Sequence, residues 1–283
     1  MMKLKNKANM PSAQQGKVSP TRAMLSIGGL ANDHITADRT PYAPTGLVVR
    51  SGNPIRVAAA GQFVVQDEAS QLVAAVVAAQ PGEHVLDLCA APGGKTTAIA
   101  AQMNDEGLVI ATDVRTRRIG LLANTVRESG AKHTRVVQIG QTGALPFEPV
   151  FDRVLVDAPC SGLGTIRRDP DIRWRRTAAD LPPLAQAQLA LLERAAEVVG
   201  PRGRLVYATC SSEPEENEHV VDTFLAAHSG FEIVDLREEP LLSPAIHQLI
   251  DQRGMLRTTP FAHRLEAFFA AVLRRRFMVR LGS

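Results

Sequence analysis

Two cysteines of the sequence each end a short apolar segment and each precede a serine. Cys160 lies in DAPCSG, residues 157–162, and Cys210 lies in YATCSS, residues 207–212. A single cysteine is more often a small hydrophobic residue of the core than a catalyst. Two cysteines that follow two strands of one sheet, beside a cofactor loop, favour thiolate chemistry instead. The pair therefore predicts an active site with a cysteine nucleophile.

A loop of small residues precedes the cysteines in the sequence. DLCAAPGGKTT, residues 87–97, ends like a phosphate-binding P-loop, but Cys89 stands where a P-loop needs its first glycine, which argues against an ATPase. Small residues between a predicted strand and a predicted helix let a cofactor approach the backbone and the helix N-terminus. Asp113 ends the next predicted strand, where a carboxylate can accept hydrogen bonds from ribose hydroxyls.

The loop and Asp113 together predict a cofactor that contains adenosine. A dinucleotide is disfavoured because the GxGxxG fingerprint is missing. The structural alternative is that Gly93 and Gly94 only form a tight turn and that Asp113 caps the following helix. S-adenosylmethionine would suit the cysteines, since thiolate addition at carbon 6 of cytosine makes carbon 5 nucleophilic enough to take a methyl group. An acid near ring nitrogen 3 assists that addition, and Asp157 is a candidate.

Strand-like and helix-like segments alternate around these motifs. Short apolar segments lie at residues 84–88, 108–112, 134–138, 153–157 and 204–208, and helical patterns lie at 66–79, 95–103, 115–129, 180–199 and 214–228. The alternation predicts a mostly parallel, doubly wound α/β sheet with helices on both faces. FFAAVLRR, residues 268–275, predicts a final antiparallel strand at the sheet edge. Ligands of such sheets bind beyond the carboxyl ends of the strands, where the motifs above lie.

The composition of the 283 residues is that of a soluble protein, with a net charge of +3 and arginines that cluster. Three cysteines without a CxxC pair argue against a disulfide scaffold or a structural zinc site and predict a reducing cytoplasm. Polar, basic first residues and the lack of a long apolar stretch predict neither a signal peptide nor a membrane span. Residues 1–60 have a weak hydrophobic pattern and are predicted to form a small lead-in segment. Residues 61–283 are predicted to form the catalytic domain.

Five features carry a resemblance to a known family. They are QDEASQ, DLCAAPGGKTT, Asp113, DAPCSGLGTIRRDPDIRW and YATCSSEPEENEHVV. In this order they resemble the Nop/Sun family of RNA cytosine-5 methyltransferases, and its bacterial RsmB-like rRNA enzymes most of all, over roughly residues 60–275. The resemblance implies a Rossmann-like fold with a seven-stranded, mostly parallel sheet, S-adenosylmethionine as the cofactor and RNA, above all rRNA, as the substrate. We expect a cytoplasmic monomer that binds neither metal nor membrane.

The resemblance also implies roles for residues at matching positions. Cys210 resembles the nucleophile, and Cys160 resembles the residue that helps to release the product. Asp157 resembles the acid that contacts the base, and Lys95 an active-site lysine. The implied cofactor-binding positions are Cys89, Ala90, Ala91, Pro92, Gly93, Gly94, Lys95, Asp113, Arg118 and Asp157. The Cys89 thiol itself is expected to have only a structural role.

IRRDPDIRWRR, residues 166–176, is the candidate RNA-binding segment. Arginines bind phosphate, and a tryptophan can stack on an unpaired base, so Arg167, Arg168, Arg173 and Trp174 are the expected RNA-binding residues. The structural alternative is a solvated loop that Trp174 anchors to the core. A cytosine in a duplex must be flipped out, or must come from a single-stranded loop, before its carbon 5 can react.

The sequence also departs from the family's pattern. VVQIGQT places Gly140 where the family carries an acidic residue for the adenine end of the cofactor, so we expect weaker binding or a substitute in Gln138 or Gln141. EAFF, residues 266–269, replaces the family's Asp-Gly-Phe-Phe. We also expect no NusB-like domain of the kind that RsmB-like enzymes carry. The second hypothesis is therefore an RNA-binding relative with weak or no activity. An adenine N6 methyltransferase is disfavoured, because Asp-Ala-Pro-Cys replaces Asp/Asn-Pro-Pro-aromatic.

Overall fold

The computed structural model describes residues 35–53 and 65–276, so residues 1–34 and 54–60 of the predicted lead-in segment lie outside the described residues. The strands are β1 (Thr36–Arg39), β2 (Leu47–Ser51), β3 (His84–Asp87), β4 (Leu108–Asp113), β5 (Thr134–Gln138), β6 (Phe151–Asp157), β7 (Val199–Thr209), β8 (Phe231–Ile233), β9 (Leu256–Arg257) and β10 (Phe269–Arg275). The helices are α1 (Glu68–Val77), α2 (Gly94–Gln102), α3 (Thr116–Ser129), α4 (Ile172–Arg175), α5 (Leu181–Val198), α6 (Glu218–Ala227) and α7 (Pro260–His263). In these two parts of the chain, no helix has the length and apolar character needed to cross a membrane.

The main sheet has the strand order β5-β4-β3-β6-β7-β10-β8, and β9 pairs with β10 beside this path. The first five strands are parallel, as the alternation of strands and helices predicts. β10 is antiparallel to both of its neighbours, β7 and β8. Residues 268–275 therefore supply the predicted antiparallel strand, but its predicted edge position is wrong. The three-residue strand β8 lies at the edge, because it pairs with the far side of β10.

Apolar side chains cover both faces of the sheet. Successive residues of a strand point to opposite faces, so in β3 Val85 belongs to one core and Leu86 to the other. The helix residues in these cores include Leu72, Ile99 and Leu122 on the first face and Leu192 and Phe224 on the second. Burial on both faces accounts for the continuous apolar runs of the parallel strands.

The order of the strands defines where a ligand would bind. From β3 the chain passes through α2 to β4 on one side, and from β6 it passes through α4 and α5 to β7 on the other. β3 and β6 are neighbours, and from them the chain proceeds toward opposite edges of the sheet. The half that begins at β3 and the half that begins at β6 therefore lie on either side of this strand pair. Ligands of open α/β sheets bind at such a switch point. The loops that follow β3 and β6 are the ones in which the sequence motifs lie.

Two regions differ from the elements predicted for them. β1 and β2 form an antiparallel hairpin within the segment whose pattern is weak. The N–H groups of Tyr42 and Ala43, in the hairpin loop, donate to Glu68 Oε1 at 2.7 and 2.9 Å and attach the hairpin to the start of α1. The helix predicted at 214–228 is divided into a 3-10 turn, Pro214–Glu216, and α6.

Arg153 is a buried charged residue of the central strand β6. The side chain is enclosed by the sheet and its neighbours, and the residue is 6% exposed. Its Nε donates to both carboxylate oxygens of Glu83 at 3.1 and 3.0 Å, and its Nη2 donates to Glu83 Oε1 at 2.8 Å. Removing one partner of such a pair leaves an uncompensated charge in the interior.

Glu83→Ala is therefore expected to lower the free energy of unfolding by about 3 kcal/mol, because Arg153 stays buried without its partner. Urea denaturation followed by circular dichroism measures the change. Glu106→Ala, which removes an exposed carboxylate from the neighbouring loop, is the control and should change stability by less than about 0.5 kcal/mol. Equal stabilities of the two variants would contradict the role given to the pair.

Candidate active site

Cys160 and Cys210 lie at the carboxyl ends of β6 and β7. These strands are parallel neighbours, with Asp157 opposite Ala208, so the residues that follow them emerge side by side. The two Sγ atoms are 3.1 Å apart, and both cysteines are free of disulfides. Two thiols at this distance can act on the same bound molecule.

Lys95 and Asp157 form a hydrogen-bonded ion pair at the same edge of the sheet. Lys95 lies in the first turn of α2, and its Nζ is 2.7 Å from Asp157 Oδ2 at the end of β6. Nζ also lies 5.7 Å from the centroid of the Phe268 ring. Burial lowers the pKa of Lys95, but the charge of Asp157 and the hydrogen bond to it outweigh burial and raise the pKa. The site therefore holds a stable ammonium group.

The two thiols differ in acidity. The hydrogen bond between the two sulfurs lowers the pKa of Cys210, whereas burial and the charge of Asp157 raise it and the Lys95 ammonium lowers it. The same hydrogen bond raises the pKa of Cys160, and burial and the charge of Glu216 also raise it. The thiolate therefore forms more readily at Cys210 than at Cys160.

Gly93, in the loop after β3, packs closely against α3 at the start of α2. Gly93 has a φ of +112°, a region that favours glycine. A Cβ at this position would lie 3.0 Å from Leu122 Cδ1 and 3.1 Å from Thr125 Cβ, so α3 excludes a side chain. Gly93 is the N-cap of α2, and no side chain of the described residues caps this helix end. The N-terminus of α2 is therefore available to an acceptor group of a ligand.

Asp113 has two carboxylate oxygens in different environments. Oδ1 accepts a hydrogen bond from the N–H of Arg115 at 3.0 Å, in a turn before α3. Oδ2 is buried and lies 3.3 Å from Arg118 Nη1, but it accepts no hydrogen bond from the described residues. Arg118 also donates to the carbonyl oxygen of Ala91 and so holds the loop after β3. The local turn uses Oδ1, and Oδ2 can accept a hydrogen bond from a ligand hydroxyl.

The part of the chain that contains these residues matches a known family. Residues 74–274, more than half of the chain, match the family described as 16S rRNA methyltransferase RsmB/F. The chain belongs to the RsmB/F family. This membership confirms the family predicted from the motifs, its Rossmann-like fold and S-adenosylmethionine as its cofactor.

Relatives of the RsmB/F family resemble the chain over most of its length. A probable ribosomal RNA small subunit methyltransferase B of Synechocystis sp. is 41% identical over 221 residues, which are 77% of this chain and 48% of the relative. The chain thus spans about half the length of this curated relative. A methyltransferase homolog protein from Pyrococcus horikoshii has a crystal structure with 30% identity and a TM-score of 0.72, covering 89% of this chain and 83% of that one. NSun6 from Pyrococcus horikoshii, solved with SFG, has 28% identity and a TM-score of 0.65, covering 76% of this chain and 54% of that one.

The loop after β5 contains the predicted departure from the RsmB/F pattern. The guanidinium of Arg194, on α5, donates to the carbonyl oxygens of Gly140 and Gln141 at 3.1 and 3.0 Å. These contacts fix the loop through its backbone. Gln138 lies opposite Asp113 in the paired strands β5 and β4. Of the two glutamines that the sequence suggests as substitutes for the acidic residue, Gln138 is therefore the one placed beside Asp113.

The arginine-rich segment after Cys160 presents a mixed surface. Trp174 is 76% exposed and lies under the guanidinium of Arg173, which is 4.9 Å from the ring centroid. The alternative in which Trp174 anchors the segment to the core is therefore wrong. Arg168 and Arg173 are exposed, whereas Arg167 Nε is 3.2 Å from the buried carboxylate of Glu266. The Arg167 charge is therefore paired within the protein.

Two buried acids near the site, Asp87 and Glu216, have no role in the sequence analysis. Burial raises the pKa of Asp87 to about 7, although a hydrogen bond from Thr96 at 2.7 Å opposes the shift. Burial also raises the pKa of Cys89 and keeps it a thiol. The positions of Asp87 and Glu216 in the sequence do not indicate that their carboxylates are buried. Across residues 35–53 and 65–276, no cluster of three or more His, Cys, Asp or Glu residues is suited to a metal ion.

The difference in thiol acidity predicts a difference in alkylation. Cys210 is expected to react with iodoacetamide faster than Cys160 at pH 7.5, since the thiolate is the reactive form. Lys95→Gln is expected to raise the pKa of Cys210 and to slow its alkylation about tenfold, because the ammonium is lost while Asp157 remains. Peptide mass spectrometry over a pH series measures both rates.

Lys132→Gln removes an exposed ammonium and is the matched control, which should leave the rates unchanged. Faster reaction of Cys160 than of Cys210 in the unaltered protein would contradict the order of acidities. An unchanged Cys210 rate in Lys95→Gln would contradict the effect given to the ammonium.

Proposed function

We propose that this chain methylates carbon 5 of a cytosine in rRNA, with S-adenosylmethionine as the methyl donor and with a transient bond between Cys210 and the base. The observation that carries the proposal is the pair of thiols 3.1 Å apart beside the Lys95–Asp157 ion pair. Carbon 5 is a poor nucleophile until a thiolate adds to carbon 6, whereas a nitrogen acceptor needs no such step. The name of the Synechocystis relative, a probable rRNA methyltransferase, supports rRNA as the substrate.

Cys210 is the proposed nucleophile. Its thiolate forms a bond to carbon 6 of cytosine, and the electron pair of the carbon 5–carbon 6 double bond makes carbon 5 enamine-like. Protonation at ring nitrogen 3 assists the addition. Asp157 is the proposed acid at that nitrogen, and it would relay a proton from the Lys95 ammonium, which donates to Asp157 Oδ2 at 2.7 Å.

Cys160 is the proposed product-release residue. S-adenosylmethionine, when bound, supplies an electrophilic methyl group to carbon 5. Carbon 5 then loses its proton to a base, proposed to be the sulfur of Cys160 as a thiolate, and the electron pair of that C–H bond re-forms the double bond as the Cys210–carbon 6 bond breaks. The sulfur of Cys160, 3.1 Å from that of Cys210, is suited to assist this elimination.

The cofactor is proposed to lie against the loop after β3. The residues proposed to hold it are Cys89, Ala90, Ala91, Pro92, Gly93, Gly94, Lys95, Asp113, Arg118 and Asp157. The buried Asp113 Oδ2, which has no donor among the described residues, suits the ribose hydroxyls. The uncapped N-terminus of α2 suits the carboxylate of the methionine moiety. The NSun6 structure with SFG, an S-adenosylmethionine analogue, supports S-adenosylmethionine as the cofactor.

RNA is proposed to cross the exposed arginine-rich segment. Trp174 offers a face on which an unpaired base can stack, and Arg168 and Arg173 can bind phosphates. Arg167 belongs to the same surface, with its charge shared with Glu266. We place the catalytic domain at residues 61–283, after a lead-in segment at 1–60, and propose that the chain works as a cytoplasmic monomer.

An RNA-binding relative with weak or no activity is the alternative. The observation that favours it is Gly140, which offers the cofactor no carboxylate at the end of β5. The two thiols and the Lys95–Asp157 pair favour the enzyme, because RNA binding alone requires none of them.

Cys160→Ala, incubated with S-adenosylmethionine and unmodified 16S rRNA, is expected to accumulate a protein–RNA adduct that survives denaturation. The reason is that Cys210 can still add to the base while release is impaired. Cys210→Ala is expected to form no adduct, and Ser229→Ala, at an exposed position, is the control that should resemble the unaltered protein. Denaturing electrophoresis with labelled RNA measures the adduct.

Exchanged outcomes for Cys160→Ala and Cys210→Ala would reverse the assignment of the nucleophile. RNA binding without an adduct or methyl transfer in any form of the protein would favour the inactive relative.

Asp113→Asn is expected to weaken the binding of S-adenosylmethionine at least about tenfold, because a charged acceptor of ribose hydroxyls is lost. The asparagine oxygen can still accept the Arg115 N–H, so the local turn is kept. Isothermal titration calorimetry with S-adenosylmethionine measures the dissociation constant. Glu128→Gln, an exposed position on α3, is the charge-matched control, and equal affinities of the two variants would remove Asp113 from the cofactor site.

A further inference from the structure

The carboxylate of Glu216 lies in the interior directly behind the cysteine loops. The residue is 0% exposed, although it belongs to an acidic run, EPEE, of the kind that usually faces solvent. The 3-10 turn Pro214–Glu216 rotates it inward at the break before α6. A carboxylate removed from water in this way requires hydrogen-bond donors for both oxygens.

The donors to Glu216 come from both cysteine loops. Oε1 accepts the backbone N–H of Ser161 at 2.8 Å, and Oε2 accepts the hydroxyls of Ser161 at 2.5 Å and Ser211 at 2.6 Å. Ser161 directly follows Cys160, and Ser211 directly follows Cys210. One side chain therefore connects the two strand ends from which the thiols project.

A second layer holds the connection in place. Gln188, on α5, donates to Glu216 Oε1 at 2.8 Å and to the carbonyl oxygen of Pro159 at 3.0 Å. The Tyr207 hydroxyl donates to the backbone carbonyl of Glu216 at 2.5 Å. Asn217 donates to the carbonyl oxygen of Ser211 at 3.0 Å. These contacts give the carboxylate a single position relative to both loops.

We propose that Glu216 is a positioning residue that fixes Cys160 and Cys210 relative to each other and assigns them their different roles in the reaction. The roles of Cys210 as nucleophile and Cys160 as product-release residue are those of the proposed function, on which the inference rests. The geometry on which it stands is the bridge from one carboxylate to the residues that follow both cysteines.

The charge of Glu216 separates the thiols electrostatically as well. It disfavours a thiolate at Cys160, whereas the Lys95 ammonium favours a thiolate at Cys210. Asp157, which is paired with Lys95, acts on Cys210 in the opposite direction. The Glu216 charge therefore adds to the difference in acidity that the hydrogen bond between the two sulfurs sets up.

Two substitutions separate the charge from the geometry. Glu216→Gln keeps the length of the side chain and its hydrogen bonds, since the serine hydroxyls can rotate to accept, but it removes the charge. Glu216→Asp keeps the charge but is one methylene shorter and cannot reach both serines at the present distances. Glu215→Gln, an exposed neighbour in the same turn, is the matched control.

The first measurement is the ratio of Cys160 to Cys210 alkylation by iodoacetamide at pH 7.5, in protein alone. Glu216→Gln is expected to raise this ratio at least about threefold, because Cys160 gains thiolate character. Glu216→Asp and Glu215→Gln are expected to stay within about twofold of the unaltered protein. A folded Glu216→Gln protein with an unaltered ratio would overturn the proposal. This measurement needs no RNA, so it decides the question even if no methyl transfer is detected.

The second measurement is kcat and KM for methyl transfer to unmodified 16S rRNA. Both Glu216 variants are expected to lower kcat at least about tenfold with the KM for S-adenosylmethionine unchanged. Glu216→Gln alters the order of the thiol acidities and Glu216→Asp displaces the cysteine loops, and neither change reaches the cofactor loop. Circular dichroism measures the folded fraction of each variant. If kcat fell only as much as the folded fraction, Glu216 would have a structural role alone, and the proposal would be overturned. Methyl transfer absent from the unaltered protein would instead overturn the proposed function.

Discussion

The ion pair between Lys95 and Asp157 joins the two halves of the fold at the site. Lys95 enters from the half that begins at β3, and Asp157 ends the first strand of the other half. A lysine buried alone would lose its proton readily. Lys95 keeps its charge because Asp157 Oδ2 lies 2.7 Å from its Nζ. The ammonium that favours the Cys210 thiolate therefore depends on the adjacency of β3 and β6.

Carboxylates outnumber cations where these strands end. Asp87, Asp113 and Asp157 end three adjacent strands, while Lys95 and Arg118 supply the nearby positive charges. Among the described residues Asp87 has no cation in direct contact, and burial raises its pKa to about 7. S-adenosylmethionine carries a positive sulfonium and a positive amino group, so a site with excess negative charge suits it better than it would suit a phosphate. This charge balance, together with Cys89 in place of the first P-loop glycine, argues against a phosphate site at the GGKTT ending.

Sequence patterns predicted the parts of the fold that follow from long, regular signals. Five buried parallel strands leave continuous apolar runs in the sequence. Because functional residues of such sheets follow the carboxyl ends of the strands, the sequence also predicts that Cys160 and Cys210 lie close together, as they do. The edge strand β8 has three residues and was missed, because so short a segment has no readable period. Glu216 was missed for a different reason. Its burial depends on a turn whose direction is set by tertiary contacts rather than by the residues of the acidic run.

Burying the Glu216 carboxylate costs desolvation free energy, and an apolar residue at this position would avoid that cost. Buried ionic groups are often replaced by apolar residues without loss of stability, because desolvation consumes most of their attraction. An apolar residue at position 216 would, however, leave the hydroxyls of Ser161 and Ser211 without their shared acceptor, and the loops could settle independently. Sulfurs that must act in sequence on one ring tolerate little independent movement. A carboxylate that bridges both loops is therefore better explained by the geometry of the reaction than by the stability of the core.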